Sequence, residues 1–215
     1  MKGLLMKDLQ LMAVQKKTLI MIAIIGVVMS LSFESTAVIA YLTIFASVMA
    51  LGTLSYDEFD NGYTFLFTLP FSRKTYVLEK YVFVVIWALV FMVVGSVVSL
   101  ILAAVRGLTA DPAEIVMTAV MVLAMALLIS AVMIPLRLKY GAEKSRIVLF
   151  IIYGLFAVAL LGLTRLPAFR ALGENISGSV SSAGPALIAV PLVLAAAVYA
   201  VSMLISIRIL EKKEF

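Results

Sequence analysis

The sequence contains no cysteine and no histidine, and only 13% of its 215 residues are charged. Without thiol and imidazole groups the chain has no Cys or His zinc site, no disulfide and no thiol or His-assisted nucleophile. Apolar residues make up 64% of the chain, whereas soluble domains contain roughly 45–50%. A soluble fold of this size cannot bury so much apolar surface, because even a well-folded domain leaves exposed over a quarter of the surface that its unfolded chain exposes. The composition therefore predicts a membrane protein.

Six apolar stretches are long enough, or nearly so, to cross a bilayer core of roughly 30 Å, which takes about 20 helical residues. They are residues 18–33, 36–54, 81–105, 115–136, 147–164 and 186–207. None of them alternates polar and apolar residues as a barrel strand does. We therefore predict an all-α polytopic membrane protein with six transmembrane helices, forming a single domain over residues 1–215. Asp111 and Pro112 have N-cap and N1 chemistry and fix the start of the fourth helix.

The positively charged residues indicate the orientation of these helices, because short cytoplasmic loops retain Lys and Arg. Three loop residues, Arg106, Arg165 and Arg170, fall on one side of the predicted membrane. The other Lys and Arg residues lie before the first span, between the second and third, between the fourth and fifth, and after the sixth. Both termini are therefore predicted to be cytoplasmic. The net charge of +5 is spread over separate loops, which gives no basic stretch for nucleic acid.

Residues 1–17 have the pattern of an amphipathic helix lying in the membrane interface. One predicted face is apolar and the other is mostly polar. The apolar face comprises Leu4, Leu5, Leu9, Met12 and Ala13, and the polar face Lys2, Lys7, Asp8, Gln10 and Lys17. A cytoplasmic extension of the first span is the alternative.

The predicted spans carry hydroxyl groups and small residues but no ionisable group at mid-depth, where an unpaired charge costs several kcal/mol. This pattern disfavours a proton-coupled carrier or an ion pump that uses the chain's own carboxylates. Small residues four apart allow close helix approach. They occur as Gly95 with Ser99, Ala46 with Ala50, and Ala196 with Ala200. Packing within the chain is the simpler interpretation of each pair, and a dimer contact is the alternative.

The segment between the second and third spans begins with acidic residues and continues with aromatic ones. Ser55 and Glu58 have capping-box spacing, which predicts a short helix beginning there. Phe59, Tyr63, Leu66 and Phe67 share one face of that helix. So many large apolar side chains outside a span favour a helix that docks on a protein or lies in the interface over a solvated loop. Ser72 then caps the helix that continues as the third span.

Two motifs lie in the predicted cytoplasmic segments. The first comprises Tyr56-Asp57-Glu58, Gly62, residues 68–74 and Glu79-Lys80-Tyr81, and the second comprises Pro135-Leu136 and residues 139–146. Together with the amphipathic N-terminal segment and the tail 209–215, they resemble the permease subunits of ABC-2 type ATP-binding-cassette transporters. The resemblance is strongest to small six-helix permeases, which include bacteriocin and phenol-soluble modulin exporters, and it covers nearly the full length.

This resemblance implies a bacterial cytoplasmic-membrane permease that pairs with a second permease, a copy or a paralogue, and is driven by two cytoplasmic ATPases. The chain itself has no phosphate-binding loop, because residues 141–145 contain one glycine at the wrong spacing. ATP and Mg²⁺ would therefore be bound by the partner ATPase, and this chain would be no enzyme and would hold no catalytic residue, metal or cofactor.

The resemblance also implies two ATPase contacts. The first would be a coupling helix near Asp57 to Phe67, and the second a smaller cytoplasmic contact. The implied ATPase-coupling residues are Asp57, Glu58, Phe59, Asp60, Tyr63, Leu66, Phe67, Pro70 and Arg73, and those of the second contact are Lys139, Tyr140, Gly141, Glu143 and Lys144.

The leading functional hypothesis is export of an amphipathic or hydrophobic substrate such as a cytolytic peptide. An immunity or drug-efflux permease is the alternative within the family, and a non-transporting membrane scaffold is the alternative outside it. Residues 165–185 form either a small extracellular lid or a plain connecting loop.

Overall fold

The computed structural model describes residues 2–32, 34–59, 62–107, 111–163 and 186–213; within the helices, only the backbone is described at 30–32, 152–153, 156–163 and 186–188. The described residues form seven helices and no strand, which confirms the all-α prediction. The helices are α1 (Lys2–Val14), α2 (Lys16–Ser32), α3 (Ala37–Glu58), α4 (Gly62–Leu66), α5 (Arg73–Val105), α6 (Pro112–Leu163) and α7 (Ala186–Glu211). The predicted lid or loop at 165–185 lies outside the described residues.

Among the described residues, four helices are long and apolar enough to cross a membrane, which confirms a multi-pass protein but not the six predicted spans. The four candidate spans are α3, α5, Pro112–Ile151 of α6 and Ala189–Glu211 of α7. Lys2–Val14 and Lys16–Met29 are bent by 65° relative to each other and make a fifth span if the pair crosses as one. The bend separates α1 from the first predicted span, residues 18–33.

The segment 137–146, expected as a loop between the fourth and fifth spans, is helical on both sides of a single break. Gly141, with φ 79° and ψ 174°, interrupts the helical geometry of α6. Because this φ suits glycine and few other residues, one position is enough to redirect the helix. The predicted loop is therefore wrong, because residues 115–136 and 147–163 of the two predicted spans belong to the one helix α6.

Two predicted helix starts are confirmed by their caps. Ser72 Oγ accepts a hydrogen bond of 3.2 Å from the backbone N–H of Thr75 at the start of α5. Asp111 Oδ1 accepts one of 2.9 Å from the N–H of Ala113 at the start of α6. Both side chains satisfy an N–H group that has no partner inside the helix.

Helix α3 packs between α5 and α6, and α7 packs on α6. A Cβ added at Gly95 of α5 would lie 3.0 Å from the Cα of Ile39 in α3. Ser99, Ala46 and Ala50 are also buried within the chain. The pairs Gly95 with Ser99 and Ala46 with Ala50 therefore serve packing within the chain, whereas Ala196 and Ala200 are exposed.

A chain of hydroxyl groups joins α5, α6 and α7. Ser202 donates to the carbonyl oxygen of Ala131, so its oxygen must accept the proton of Tyr81, 2.7 Å away. The Tyr81 oxygen then accepts from Ser206 at 2.8 Å, and Tyr199 donates to the carbonyl of Tyr81 at 2.9 Å. Each of these four hydroxyl groups donates to an acceptor, as an apolar surrounding requires.

Candidate functional site

The segments predicted to be cytoplasmic meet in one region of the structure. Helix α1, the last turn of α3, α4, the first turns of α5, the Gly141 break and the end of α7 are joined there by side-chain hydrogen bonds and ion pairs. These segments are separated by up to 206 positions along the sequence, from Lys7 to Lys213. The tertiary fold, and not local sequence, brings both predicted contact segments together.

Five ionisable residues form what we call the charged layer: Lys7 and Asp8 of α1, Asp57 of α3, and Glu79 and Lys80 of α5. Lys80 Nζ lies 2.7 Å from Asp57 Oδ2 and also contacts Asp8. Lys7 contacts Asp57, and its Nζ lies 3.2 Å from Asp8 Oδ1. Two lysines and two aspartates thus tie three helices together.

Neutral side chains add hydrogen bonds to two members of the charged layer, Asp57 and Lys80. Tyr76 donates a hydrogen bond of 2.9 Å to Asp57 Oδ2, and Lys80 donates one of 3.1 Å to Thr53 Oγ1. Burial is the largest influence on the pKa of Lys7 and lowers it, but the carboxylates of Asp57 and Asp8 outweigh burial and raise this pKa. Lys7 therefore remains charged at neutral pH.

Glu79 is the unbalanced member of the charged layer. Its side chain is fully buried, and neither carboxylate oxygen has a hydrogen-bond partner among the described residues. It interacts electrostatically with both lysines and both aspartates. Fully ionised, the layer would hold three carboxylates against two ammonium groups, so a charged Glu79 is costly to bury.

The helix predicted to begin at Ser55 begins later. Ser55 to Glu58 form the last turn of α3, and the next described helix is the five-residue α4, which starts at Gly62. The capping-box prediction is wrong, because α3 continues through these residues. Its buried face includes Leu54 and Asp57, so residues 55–58 stay helical. Asp60 lies outside the described residues.

The aromatic residues of this segment divide into an inner and an outer set. Tyr63 and Leu66 are buried, and the rings of Tyr63 and Phe67 lie 6.1 and 5.8 Å from that of Tyr76. Burial is the main cause that raises the pKa of Tyr63. In contrast, Phe59 and Phe65 are 75% and 73% exposed. The predicted shared face therefore holds for three residues and excludes Phe59, which points away.

Arg73 and Lys213 attach the C-terminal end of α7 to this region. Arg73 Nη1 donates to the carbonyls of Leu210, Glu211 and Lys213 at 2.9, 3.0 and 2.7 Å, and its guanidinium lies 5.6 Å from the Phe67 ring centre. Lys213 Nζ donates to the carbonyl of Leu138 at 3.1 Å and lies 5.4 Å from the Tyr63 ring centre. Pro70, in the preceding turn, is exposed.

The two predicted contact segments lie side by side around a cleft of about 370 Å³. Its walls are residues 55 and 58–59 on one side and 140–144 on the other. Glu58 Oε2 accepts a hydrogen bond of 2.7 Å from the N–H of Ala142. Gly141 is buried, and the other residues predicted for the second contact are exposed, namely Lys139, Tyr140, Glu143 and Lys144.

The profile of a family described as ABC-2 family transporter protein matches residues 3–211. The chain belongs to the ABC-2 transporter family. It is therefore a transmembrane permease subunit of an ATP-binding-cassette transporter, and this family membership implies association with an ATPase component. No curated protein and no solved structure matches the chain.

Sequence reasoning missed several residues that organise this ABC-2 permease. The amphipathic pattern predicts Asp8 on the polar face of α1, but the structure buries it between Leu4 and Met12. The spacing i, i+4, i+8 contained this information, because it puts the three residues on one side of a helix. Lys80 and Ala142 lie within the two motifs, but their pairing with Asp8 and Glu58 was missed, since these partners lie 72 and 84 positions away.

Proposed function

We propose that this permease is the membrane half of an ATP-driven exporter and that an ATPase subunit docks beside the cleft between residues 55–59 and 140–144. The observation that carries the proposal is the exposure of Phe59 and Phe65, at 75% and 73%, next to a tightly connected charged layer. Both lie outside the predicted apolar spans, where large exposed aromatic side chains are typical of protein interfaces. Tyr140, 41% exposed, lines the cleft, and Tyr56, 52% exposed, lies in the last turn of α3.

The buried residues of the predicted coupling set have a different role in this proposal. Asp57, Tyr63 and Leu66 are buried within the chain, so they support the docking surface from inside. Phe59, Phe65 and the exposed residues of 139–144 would contact the ATPase. A force applied by the ATPase would then reach α1, α5 and α7 through the charged layer and through Arg73, which is coupling through packed elements.

Copurification tests the docking surface. The tagged chain is purified from its native membranes in mild detergent, and the ATPase subunit that accompanies it is quantified. Because hot-spot aromatics carry about 2 kcal/mol or more, Phe59→Ala with Phe65→Ala should lower the retained ATPase at least tenfold. Phe45→Ala is the matched control, since Phe45 is a 44% exposed phenylalanine of α3 that lies in the predicted span and away from the proposed docking surface. Equal retention in all three proteins would refute the docking site.

The proposed cargo is an amphipathic peptide. The predicted spans offer apolar surface and hydroxyl groups without a mid-membrane charge, which suits an amphipathic molecule better than an ion. ATP and Mg²⁺ would be bound by the ATPase, and a second permease, a copy or a paralogue, would complete the pathway. Vesicles containing the purified complex should move a labelled amphipathic helical peptide with ATP, and not a scrambled peptide of equal composition. Transport of lipophilic dyes but not the peptide would identify drug efflux instead.

The proposed location is a bacterial cytoplasmic membrane with both termini cytoplasmic. The absence of cysteine from the sequence makes this directly testable. A single cysteine placed at Lys212 should react with an impermeant maleimide in inverted vesicles and not in intact cells, whereas one placed at Arg106 should show the reverse.

A further inference from the structure

The second part of α6 begins with a cap that comes from another helix. Gly141 leaves the helical conformation, so the N–H groups from Ala142 onward start a new helix and need acceptors. Glu58, at the end of α3, accepts the Ala142 N–H with Oε2 at 2.7 Å. A carboxylate at this position also faces the positive end of the helix dipole, which favours its charge.

The backbone of Gly141 favours glycine, and a side chain at this position would also displace the Glu58 carboxylate. A Cβ at this position would overlap Glu58 Oε1. The positive φ of 79° adds a second penalty for any other L-residue. Glu58 and Gly141 therefore form a closely fitted pair, although 83 positions separate them in the sequence.

The end of α3 holds both parts of α6, one on each side of the break. Arg137, in the first part, donates through Nη1 to the carbonyl of Leu51 and to Ser55 Oγ, the latter at 3.2 Å. Glu58 holds the second part. The last two turns of α3 thus hold both parts of α6 at the Gly141 break, and the next residue along the chain is the exposed Phe59.

We infer that Glu58 is a positioning residue that transmits displacement of the α3 end to the second part of α6, with Gly141 as the hinge. This inference rests on the proposed docking of an ATPase at Phe59. Glu58 need not touch the ATPase, because its carboxylate is engaged within the permease. Loss of the Glu58 hydrogen bond would leave docking intact and separate the ATPase motion from the membrane helices.

Two substitutions remove the same hydrogen bond from opposite sides. Glu58→Ala removes the acceptor, and Ala142→Pro removes the donor while keeping a residue suited to the first position of a helix. Each should lower permease-stimulated ATP hydrolysis and transport about tenfold, while ATPase copurification should fall far less than in Phe59→Ala with Phe65→Ala. The double variant should be no worse than either single one. Glu58→Gln retains an acceptor oxygen and should recover most of the activity.

A measurement without the ATPase tests the hinge itself. Spin labels at cysteines replacing Tyr56 and Phe150, which are 52% and 79% exposed, report the distance between the end of α3 and the second part of α6. Glu58→Ala and Ala142→Pro should shift or broaden the distance distribution in nanodiscs. Glu114→Ala is the matched control, because Glu114 lies in the first turn of α6 and is exposed.

The outcomes separate the two proposals. An unchanged distance distribution in Glu58→Ala, or additive losses in the double variant, would overturn the role of Glu58. Simultaneous loss of activity and of copurifying ATPase would overturn it as well, because it would show a docking or folding defect. Failure of the unmodified chain to retain any ATPase would instead overturn the proposed function, while the distance measurement would still decide whether Glu58 sets the hinge.

Discussion

The guanidinium of Arg73, in the first turn of α5, donates a hydrogen bond of 2.9 Å to the carbonyl of Leu210, in the last turn of α7. The carbonyls of Glu211 and Lys213 share the same donor nitrogen. The last carbonyls of a helix have no partner inside it and carry partial negative charge, so a cation satisfies both needs. Arg73 thereby fastens the end of α7 to the start of α5.

Replacing Arg73 should loosen the end of α7. A hydrogen bond to a charged group contributes about 1.5–3 kcal/mol to stability. Arg73→Ala should therefore lower the free energy of unfolding by about 2 kcal/mol and make the C-terminal tail accessible to trypsin. Lys74→Ala is the neighbouring control. Its ion pair with Glu211 spans 3.5 Å between largely exposed side chains, and such pairs contribute at most about 1 kcal/mol. Thermal unfolding in detergent measures both, and equal losses would contradict the capping role.

Removing Lys80 should be far more costly than removing a surface lysine. Lys80→Met would leave Asp8 and Asp57 buried with Lys7 as their remaining cation. Breaking a buried ion pair from one side costs about 3–5 kcal/mol, because the partner charge stays buried. Lys17→Met, at an exposed position, should change stability by less than about 0.5 kcal/mol. The yield of monodisperse protein and the unfolding temperature measure the difference, and similar values for the two variants would exclude a stabilising role for the charged layer.

Neutralising Glu79 should be tolerated or stabilising. Its buried carboxylate oxygens lack hydrogen-bond partners among the described residues, so Glu79→Gln removes a charge without breaking a described bond. The gain should be about 1 kcal/mol or more if the carboxylate is ionised. Asp57→Asn is the comparison, since it weakens the contacts with both lysines and Tyr76 and should destabilise. If Glu79→Gln destabilised the protein as much as Asp57→Asn, the negative charge of Glu79 would itself stabilise the fold, contrary to this prediction.

Gly95 and Gly52 should respond oppositely to alanine. At Gly95 the added Cβ would lie 3.0 Å from the backbone of Ile39, so Gly95→Ala should separate α3 from α5 and cost about 1–3 kcal/mol. At Gly52 nothing lies within 4 Å of the added Cβ, and alanine should stabilise α3 by about 0.5–1 kcal/mol. Unfolding in detergent tests the sign of each change. A loss at Gly52, or none at Gly95, would contradict the packing of α3 on α5.

Local signals in the sequence predicted the features that depend on neighbouring residues. Ser72 and Asp111 begin α5 and α6 as expected, because an N-cap needs one side chain and an N–H group two or three residues away. The capping box at Ser55 and Glu58 failed for an instructive reason. The same two residues fit the last turn of a longer helix, where Ser55 contacts Arg137 and Glu58 contacts Ala142.

The sequence by itself determined that this protein is helical, crosses a membrane and belongs among ABC-2 permeases, because apolar run length and short motifs are local properties. Only the tertiary structure decided which charges are buried together and which aromatic side chains remain exposed. Asp8 meets Lys80, and Glu58 meets Ala142, across 72 and 84 positions. Such pairings depend on how the helices pack, since burial makes an unpaired charge costly and selects the arrangement in which the charges meet.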